Sequence, residues 1–203
     1  MTKAEKLDLY KIHKAEYVTP KEPVLIEVKP AQYLTILGKG APGGEVFQAR
    51  LMALYSLAFT IKMTRKFAGQ DYRVCHLEGL WWSSSKKKCI FDQPPESWEW
   101  KLIIRVPDFI TERDLKDGVA TLKARGKSAE AGLVRLETIQ EGRSVQALHV
   151  GPYSKEPETI ARMKALAEQK GLSFQGLHHE IYLSDPRRVP PERLRTILRQ
   201  PLG

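Results

Sequence analysis

The stretch "LHHEIYLSD" (residues 177–185) has the alternating pattern of a β-strand with one apolar face and one polar face. If the stretch is extended, His178, Glu180 and Tyr182 point to one side, and the residues between them point to the other. The same His-x-Glu spacing opens the stretch "HLEGLWW" (residues 76–82). Two strands with a shared spacing indicate that one structural unit is used twice in the chain.

The elements around the two strands follow the same order in both halves. In the first half, "YLTILGKG" precedes a long amphipathic helix at residues 45–67, and the strands "CHLEGLWW" and "WEWKLIIRVP" follow. In the second half, "VQALHVGPY" precedes the helix "SKEPETIARMKALAEQKG", and "LHHEIYLSD" and "ERLRTILRQP" follow. The sequence therefore predicts an α+β fold of two βαββ modules, about 23–110 and 111–203, related by a pseudo-twofold axis. A polar lead-in at residues 1–22 precedes them.

Local signals predict further boundaries. Pro30 separates a strand at Val24–Val28 from a second strand at Gln32–Leu37. Thr111 can cap a helix that ends at Gly126. The segment "GLVRLETIQEGRSVQALHVGPY" is predicted to be a β-hairpin with "EGR" as its turn.

The repeat also predicts a catalytic pair, because it places Glu78 and Glu180 opposite each other across one central ligand cleft. Two carboxylates in a water-poor cleft repel, so one keeps a proton near neutral pH while the other stays ionised. Such a pair supplies an acid and a base at one place and could activate water for attack on a ligand. By alternation from Glu78, we expect Trp82 in the cleft and Trp81 against a helix.

The ligand-binding candidates are Trp82, Tyr182, Tyr153, His178 and His76. The aromatic rings offer flat apolar area and cation–π contacts to an aromatic ligand. The two histidines are either proton carriers or hydrogen-bonded supports, and Tyr153, in "VGPYS", either lines the site or anchors its turn. Glu156 lies in the first turn of a helix, where a carboxylate ordinarily interacts with the helix dipole.

The same strands also carry residue types that bind metal ions. His76, Glu78, His178 and Glu180 offer two nitrogens and two carboxylates, a donor set that zinc or iron would accept. Their spacing along the strands argues against a metal site, so we expect no metal and no other cofactor. Two cysteines, Cys75 and Cys89, are predicted to be reduced thiols.

Composition limits the partners. The net charge is +9, but the basic clusters at 83–89 and 185–199 lie in no recognisable nucleic-acid-binding motif, so nucleic acid is not the expected partner. The longest apolar run, at 51–61, is too short to span a bilayer. The charged N-terminus has no secretory-signal pattern, so we expect a cytoplasmic protein without a membrane partner.

The segments "LEGLWW", "LHVGPYSKEPETIARM" and "HHEIYLSDPRRVPPERLRTILRQP" closely resemble stand-alone members of the GyrI-like small-molecule-binding family. The resemblance covers roughly residues 20–203. It implies two SHS2-type modules around a shared cleft, hydrophobic or aromatic ligands and, in some stand-alone members, hydrolysis of cyclopropane rings in toxic DNA-alkylating compounds. Two alternatives stay open: a protein-interaction role such as DNA gyrase inhibition, and a ligand sensor that acts with a separate regulator. Only about twenty residues precede this region, so direct transcriptional regulation is not expected.

Overall fold

The structure is a computed structural model that describes residues 6–83, 93–127 and 129–203. The described α-helices are α1 (Leu9–Ile12), α2 (Lys14–Tyr17), α3 (Glu45–Phe67), α4 (Glu112–Ala124) and α5 (Glu156–Gln169). The described strands are β1 (Val24–Val28), β2 (Ala31–Lys39), β3 (Glu78–Ser83), β4 (Trp98–Arg105), β5 (Arg135–Ile139), β6 (Gly142–Val150), β7 (His178–Tyr182) and β8 (Arg195–Pro201). None of these helices is both long enough and apolar enough to cross a membrane. Apart from Ser83, the predicted basic cluster at 83–89, with Cys89, lies outside the described residues; Cys75 is a buried free thiol.

The local signals predicted several boundaries correctly. β1 and β2 lie on either side of Pro30, and α3 covers the predicted residues 45–67. At the start of α4, Thr111 Oγ1 accepts from the backbone N–H of Asp114, whose carboxylate accepts from the backbone N–H of Thr111. This reciprocal capping box satisfies two N–H groups that no helical carbonyl can reach.

The eight strands form one antiparallel sheet in the order β1-β6-β8-β7-β3-β4-β2-β5. β5 is at one edge and β6 is second from the other, so about 29 Å would separate them in a flat sheet. Only residues 140 and 141 join them, and three Cα–Cα steps reach at most about 11 Å. The sheet must therefore curl until its edges approach, which gives an α+β fold with a half-barrel sheet.

The prediction that residues 132–153 form a β-hairpin is wrong. β5 pairs with β2, and β6 pairs with β1 and β8, so the two consecutive strands share no hydrogen bonds as a pair. The turn signal "EGR" correctly marks the break between two strands. It does not determine which partners those strands choose, because the curled sheet brings other strands within reach.

The two faces of the sheet have different neighbours. On the helix face, α3 packs against β2 and β4, and α5 packs against β6. Buried apolar residues fill these contacts, among them Leu54 and Leu57 of α3 and Met163 of α5. The other face lies inside the curl, and we call it the interior face.

The interior face holds a buried set of charged and polar side chains, which we call the interior network: Glu16, Tyr17, Glu78, Arg105, Glu141, His179 and Arg199. His179 contacts Glu141 at 2.9 Å and Glu78 at 3.0 Å, and Arg199 donates to Glu141 at 2.9 Å. Burial alone would lower the pKa of His179, but Glu141 and Glu78 outweigh it and raise that pKa to about 9. The network then contains three cations and three carboxylates, which balance.

Residues of the predicted polar lead-in complete this network. Arg105 donates to Glu16 at 2.6 Å, and the hydroxyl of Tyr17 donates to Glu78 at 3.1 Å. Glu16 and Tyr17 are both buried. The N-terminal segment therefore supplies one of the three carboxylates that neutralise the interior, and it covers that face of the sheet.

Candidate functional site

The pairing of β3 with β7 determines which side chains can meet. Gly79 lies opposite Glu180, and Trp81 lies opposite His178. Opposed residues share a face of the sheet, and neighbours along a strand do not. Glu180 therefore lies on the helix face, whereas Glu78 points into the interior. The expectation that Glu78 and Glu180 face each other across one cleft is wrong.

The prediction failed because it aligned the two His-x-Glu motifs residue for residue, whereas residues on the same face of β3 and β7 differ in number by an odd amount. Helix-face residues of β3 are odd-numbered and those of β7 are even-numbered, so aligning Glu78 with Glu180 reverses the faces. Trp81 lies on the helix face, as predicted, and it is Trp81 rather than the predicted Trp82 that contacts the site: its Nε1 donates to the hydroxyl of Tyr182 at 3.0 Å. Trp82 instead donates to Glu99, away from this face. His76 precedes β3 and packs on Tyr10, with ring centroids 5.0 Å apart.

Four side chains converge where the start of α5 meets β7, and we call them the helix-side cluster: Glu156, His178, Glu180 and Tyr182. The hydroxyl of Tyr182 donates to Glu180 Oε2 at 2.8 Å, and His178 Nε2 lies 3.4 Å from Glu180 Oε1. One carboxylate oxygen each of Glu156 and Glu180 and one ring nitrogen of His178 all lie within 4.8 Å of one another. The structure therefore brings together three of the predicted residues with Glu156.

Glu156 is the unusual member of the helix-side cluster. Its exposed fraction is 1 %, and its Oε1 has no hydrogen-bond partner within the described part of the chain. Burial, and then the charge of Glu180, raise the pKa of Glu156 to about 10. A neutral carboxyl contributes little to a helix dipole, so the dipole does not explain this residue. Glu156 therefore keeps its proton near neutral pH, beside the carboxyl of Glu180.

Aromatic rings surround the cluster. Trp81 packs against Phe47 and Trp98, with ring centroids 6.1 Å and 5.9 Å apart, and Tyr153 meets Tyr182 edge-on at 6.2 Å. Tyr153 is 38 % exposed, so it is the member of these rings that solvent reaches most readily. The predicted alternatives for Tyr153 are thus both compatible with its position, at the turn and beside the site.

Gly79 makes this packing feasible. A Cβ at this position would lie 2.7 Å from Trp81 Nε1 and 3.1 Å from the hydroxyl of Tyr182. Glycine inside a strand commonly marks such a close approach. The glycine in "LEGLWW" was therefore a sequence signal for the site that the strand alternation alone did not reveal.

The turn before α5 is held by His149. Because a carbonyl only accepts, Nε2 of His149 donates to the carbonyl of Pro152 at 3.2 Å, and the other ring nitrogen accepts from the Thr159 hydroxyl at 3.0 Å. Both bonds tie the end of β6 to the first turns of α5. His149 thereby fixes the segment that carries Tyr153 and Glu156.

Two other observations bear on how the cluster is used. Glu156, His178 and Glu180 are residue types that can bind a metal ion, but a cation would have to displace the proton of Glu156, and Tyr182 already occupies Glu180 Oε2.

Surface hollows of about 300 and 380 Å³ lie elsewhere, beside Arg65 and at the N-terminal segment near His13. The cluster is distinguished by buried chemistry rather than by the size of an open cavity.

The chain thus combines a curled α+β sheet with a buried carboxyl pair beside aromatic rings. The model of the GyrI-like small molecule binding domain matches residues 113–202. An uncharacterized conserved protein from Listeria innocua is 38 % identical over 98 % of this chain and 100 % of its own, with a TM-score of 0.90. A hydrolase from the same organism is 36 % identical over the same shares, with a TM-score of 0.88. The chain belongs to the GyrI-like small-molecule-binding family.

More distant structures share the fold alone. The C-terminal domain of EcmrR is 11 % identical over 90 % of this chain and 97 % of its own, with a TM-score of 0.58. No curated protein matches the chain. The family model and the Listeria innocua proteins confirm the prediction that the chain belongs to this family. The identity of the ligand is a proposal.

Proposed function

We propose that this protein binds hydrophobic or aromatic small molecules at the helix-side cluster and hydrolyses electrophilic, cyclopropane-bearing toxic compounds there. One observation carries the proposal: the buried carboxyl of Glu156, with an unpartnered oxygen, lies beside Glu180 and is surrounded by aromatic rings. Glu180 keeps the catalytic role predicted from the sequence. Glu156 takes the place that was assigned to Glu78.

The binding step uses the rings and the single negative charge of the pair. Tyr153 is 38 % exposed and meets Tyr182 edge-on, so a shift of its ring would admit a flat ligand. Trp81 then provides a fixed wall, because Phe47 and Trp98 pack against its ring. Each stacking or cation–π contact of this kind contributes about 0.5–2 kcal/mol.

The chemical step divides between the two carboxyl groups. Glu156 holds a proton and donates it to the electron-accepting oxygen of a ligand whose cyclopropane is conjugated with a carbonyl. Glu180, held as an acceptor by Tyr182, removes a proton from the water that attacks the ring carbon. As the new carbon–oxygen bond forms, the cyclopropane carbon–carbon bond breaks and its electrons move to the carbonyl oxygen that Glu156 protonates. General acid and general base catalysis each contribute about 10²–10⁴-fold. His178 lies beside Glu180, where it either holds that carboxylate in position or relays the proton.

The test measures product formation from such a cyclopropane in ¹⁸O-labelled water. Glu180→Gln and Glu156→Gln should each lose most of the rate with little change in ligand affinity, and the two losses should not add. Glu158→Gln, an exposed change in the same helical turn, is the matched control. Stoichiometric binding without label incorporation would leave a binding protein; absence of binding would favour a protein-interaction role, such as DNA gyrase inhibition.

The two-module architecture is also a proposal. From the centre of the sheet, the strand order is β3-β4-β2 in one direction and β7-β8-β6 in the other, which supports two βαββ units of the SHS2 type related by a pseudo-twofold axis. Superposing residues 23–110 on 111–203 tests it. An odd-numbered offset between β3 and β7 is expected, so Glu78 would not superpose on Glu180.

A further inference from the structure

We infer that the Glu156–Glu180 pair also hydrolyses aryl-substituted epoxides to vicinal diols. This activity rests on the proposed function, because it uses the same acid and the same base. It differs in the bond that breaks: a carbon–oxygen bond of a three-membered ether replaces a carbon–carbon bond. The inference follows from the geometry of the pair and from the chemistry of the surrounding residues.

The distance between the two carboxyl groups suits the opening of an epoxide ring. One oxygen each of Glu156 and Glu180 lies within 4.8 Å of the other. A hydrogen bond to a carboxyl oxygen spans about 2.7 Å, so a ligand oxygen held by Glu156 and a water held by Glu180 would lie on either side of one ring carbon. The unpartnered Oε1 of Glu156 leaves that carboxyl free to engage a ligand oxygen. Tyr182 occupies Glu180 Oε2, so Oε1, which lies 3.4 Å from His178 Nε2, is the oxygen that would accept from a water.

The cluster is poorly suited to acyl transfer. Its four members include no serine or cysteine, and the backbone N–H groups of β3 and β7 take part in the pairing of the antiparallel sheet. Ester or amide hydrolysis benefits from donors aimed at a developing oxyanion, which these strands do not offer. Epoxide opening needs only a proton at the ring oxygen and an activated water. The released oxygen stays attached to the product.

The step balances within the pair. The water oxygen forms a bond to one ring carbon as the bond between that carbon and the ring oxygen breaks. Glu156 gives its proton to the ring oxygen, and Glu180 takes one proton from the water. Glu180 then carries the proton and Glu156 the charge, and transfer between the two neighbouring groups restores the starting state. No oxidant or second substrate is required.

The aromatic surroundings select the substrate. Positive charge develops at a benzylic carbon during opening, and the ring faces of Tyr153 and Tyr182 with the charge of Glu180 stabilise it. Attack from the side opposite the leaving oxygen inverts that carbon. An epoxide with an aryl group on each carbon therefore gives one diastereomer of the diol.

The experiment uses trans-stilbene oxide in ¹⁸O-labelled water with the full chain. The expected product is the meso diol carrying one ¹⁸O, formed at least about 100-fold more slowly by Glu156→Gln and by Glu180→Gln. Glu158→Gln should match the unchanged protein. Circular dichroism and thermal unfolding check that the variants are folded, which is expected for Glu156→Gln because it replaces a neutral carboxyl with a neutral amide.

The outcomes separate this inference from the proposed function. Turnover of the conjugated cyclopropane without diol above the uncatalysed rate overturns the inference alone. Diol formation that persists in both glutamine variants overturns it as well, because the pair is then not responsible. Diol formation without cyclopropane turnover supports the inference and rejects the cyclopropane as substrate class. Failure of both reactions, with ligand still bound, rejects hydrolysis altogether.

Discussion

Replacing Glu156 with glutamine should stabilise the protein. In the folded chain the pair Glu156–Glu180 retains one proton at neutral pH, because burial and the second charge raise the pKa of Glu156 to about 10. In the unfolded chain Glu156 ionises near its ordinary pKa of 4.5. Folding at pH 7 must therefore take up a proton, which costs free energy. Glutamine has a similar shape and needs no proton.

The magnitude depends on the unfolded pKa and on the pH. Between 4.5 and 10 the folded state holds one more proton than the unfolded state, so stability falls as the pH rises. The cost at pH 7 is 2.5 pH units at about 1.36 kcal/mol each, or about 3 kcal/mol. Glu156→Gln should therefore increase the free energy of unfolding by up to about 3 kcal/mol at pH 7 and by almost nothing near pH 4.5.

The assay is urea unfolding of the unchanged protein, Glu156→Gln and Glu158→Gln at pH 5, 6, 7 and 8. The difference between the first two should grow by about 1.4 kcal/mol for each pH unit. Glu158 is exposed, so its variant should show no comparable trend. A difference that does not change with pH would show that Glu156 is ionised in the folded protein and would remove the acid from the proposed mechanism.

Three further predictions concern the two faces of the sheet. Glu78→Gln should cost about 3–5 kcal/mol in urea unfolding, because it leaves His179 short of one buried counter-charge; an unchanged midpoint would contradict a structural role. In a Glu156→Gln background, the stability due to His179 should be complete below pH 6.5 and disappear as the pH rises through about 9, and His179→Asn should lack this loss. Trp81→Phe should weaken dye binding, measured by fluorescence, more than Trp82→Phe, because only Trp81 donates to Tyr182; equal effects would reject the face assignment.

The separation of the two faces explains why the glutamates have different roles. Glu78 has an exposed fraction of 0 % and is held by Tyr17 and His179, so its charge is compensated. Glu156 has no such partner on its inner oxygen, and its nearest charged neighbour repels it. Compensated buried charge is typical of structure, whereas a perturbed and uncompensated group is a candidate for function.

The sequence by itself determined the local elements and the family. The periodicity of residues 45–67, the break at Pro30 and the capping pair Thr111 and Asp114 predicted boundaries that the structure confirms. These signals are reliable because each depends on neighbours within a few residues along the chain. The motifs of the C-terminal third identified the family for the same reason, since they are read directly from consecutive residues.

Only the tertiary structure decided which side chains meet. The register between β3 and β7 depends on pairing between segments about one hundred residues apart, and a slip of one residue exchanges the two faces. Alternation along each strand therefore could not show that the carboxyl beside Glu180 belongs to Glu156 and not to Glu78. The curl of the sheet likewise sent β5 and β6 to different partners and enclosed Glu16 in the interior. Such contacts arise from packing and charge balance between distant segments, which no local pattern records.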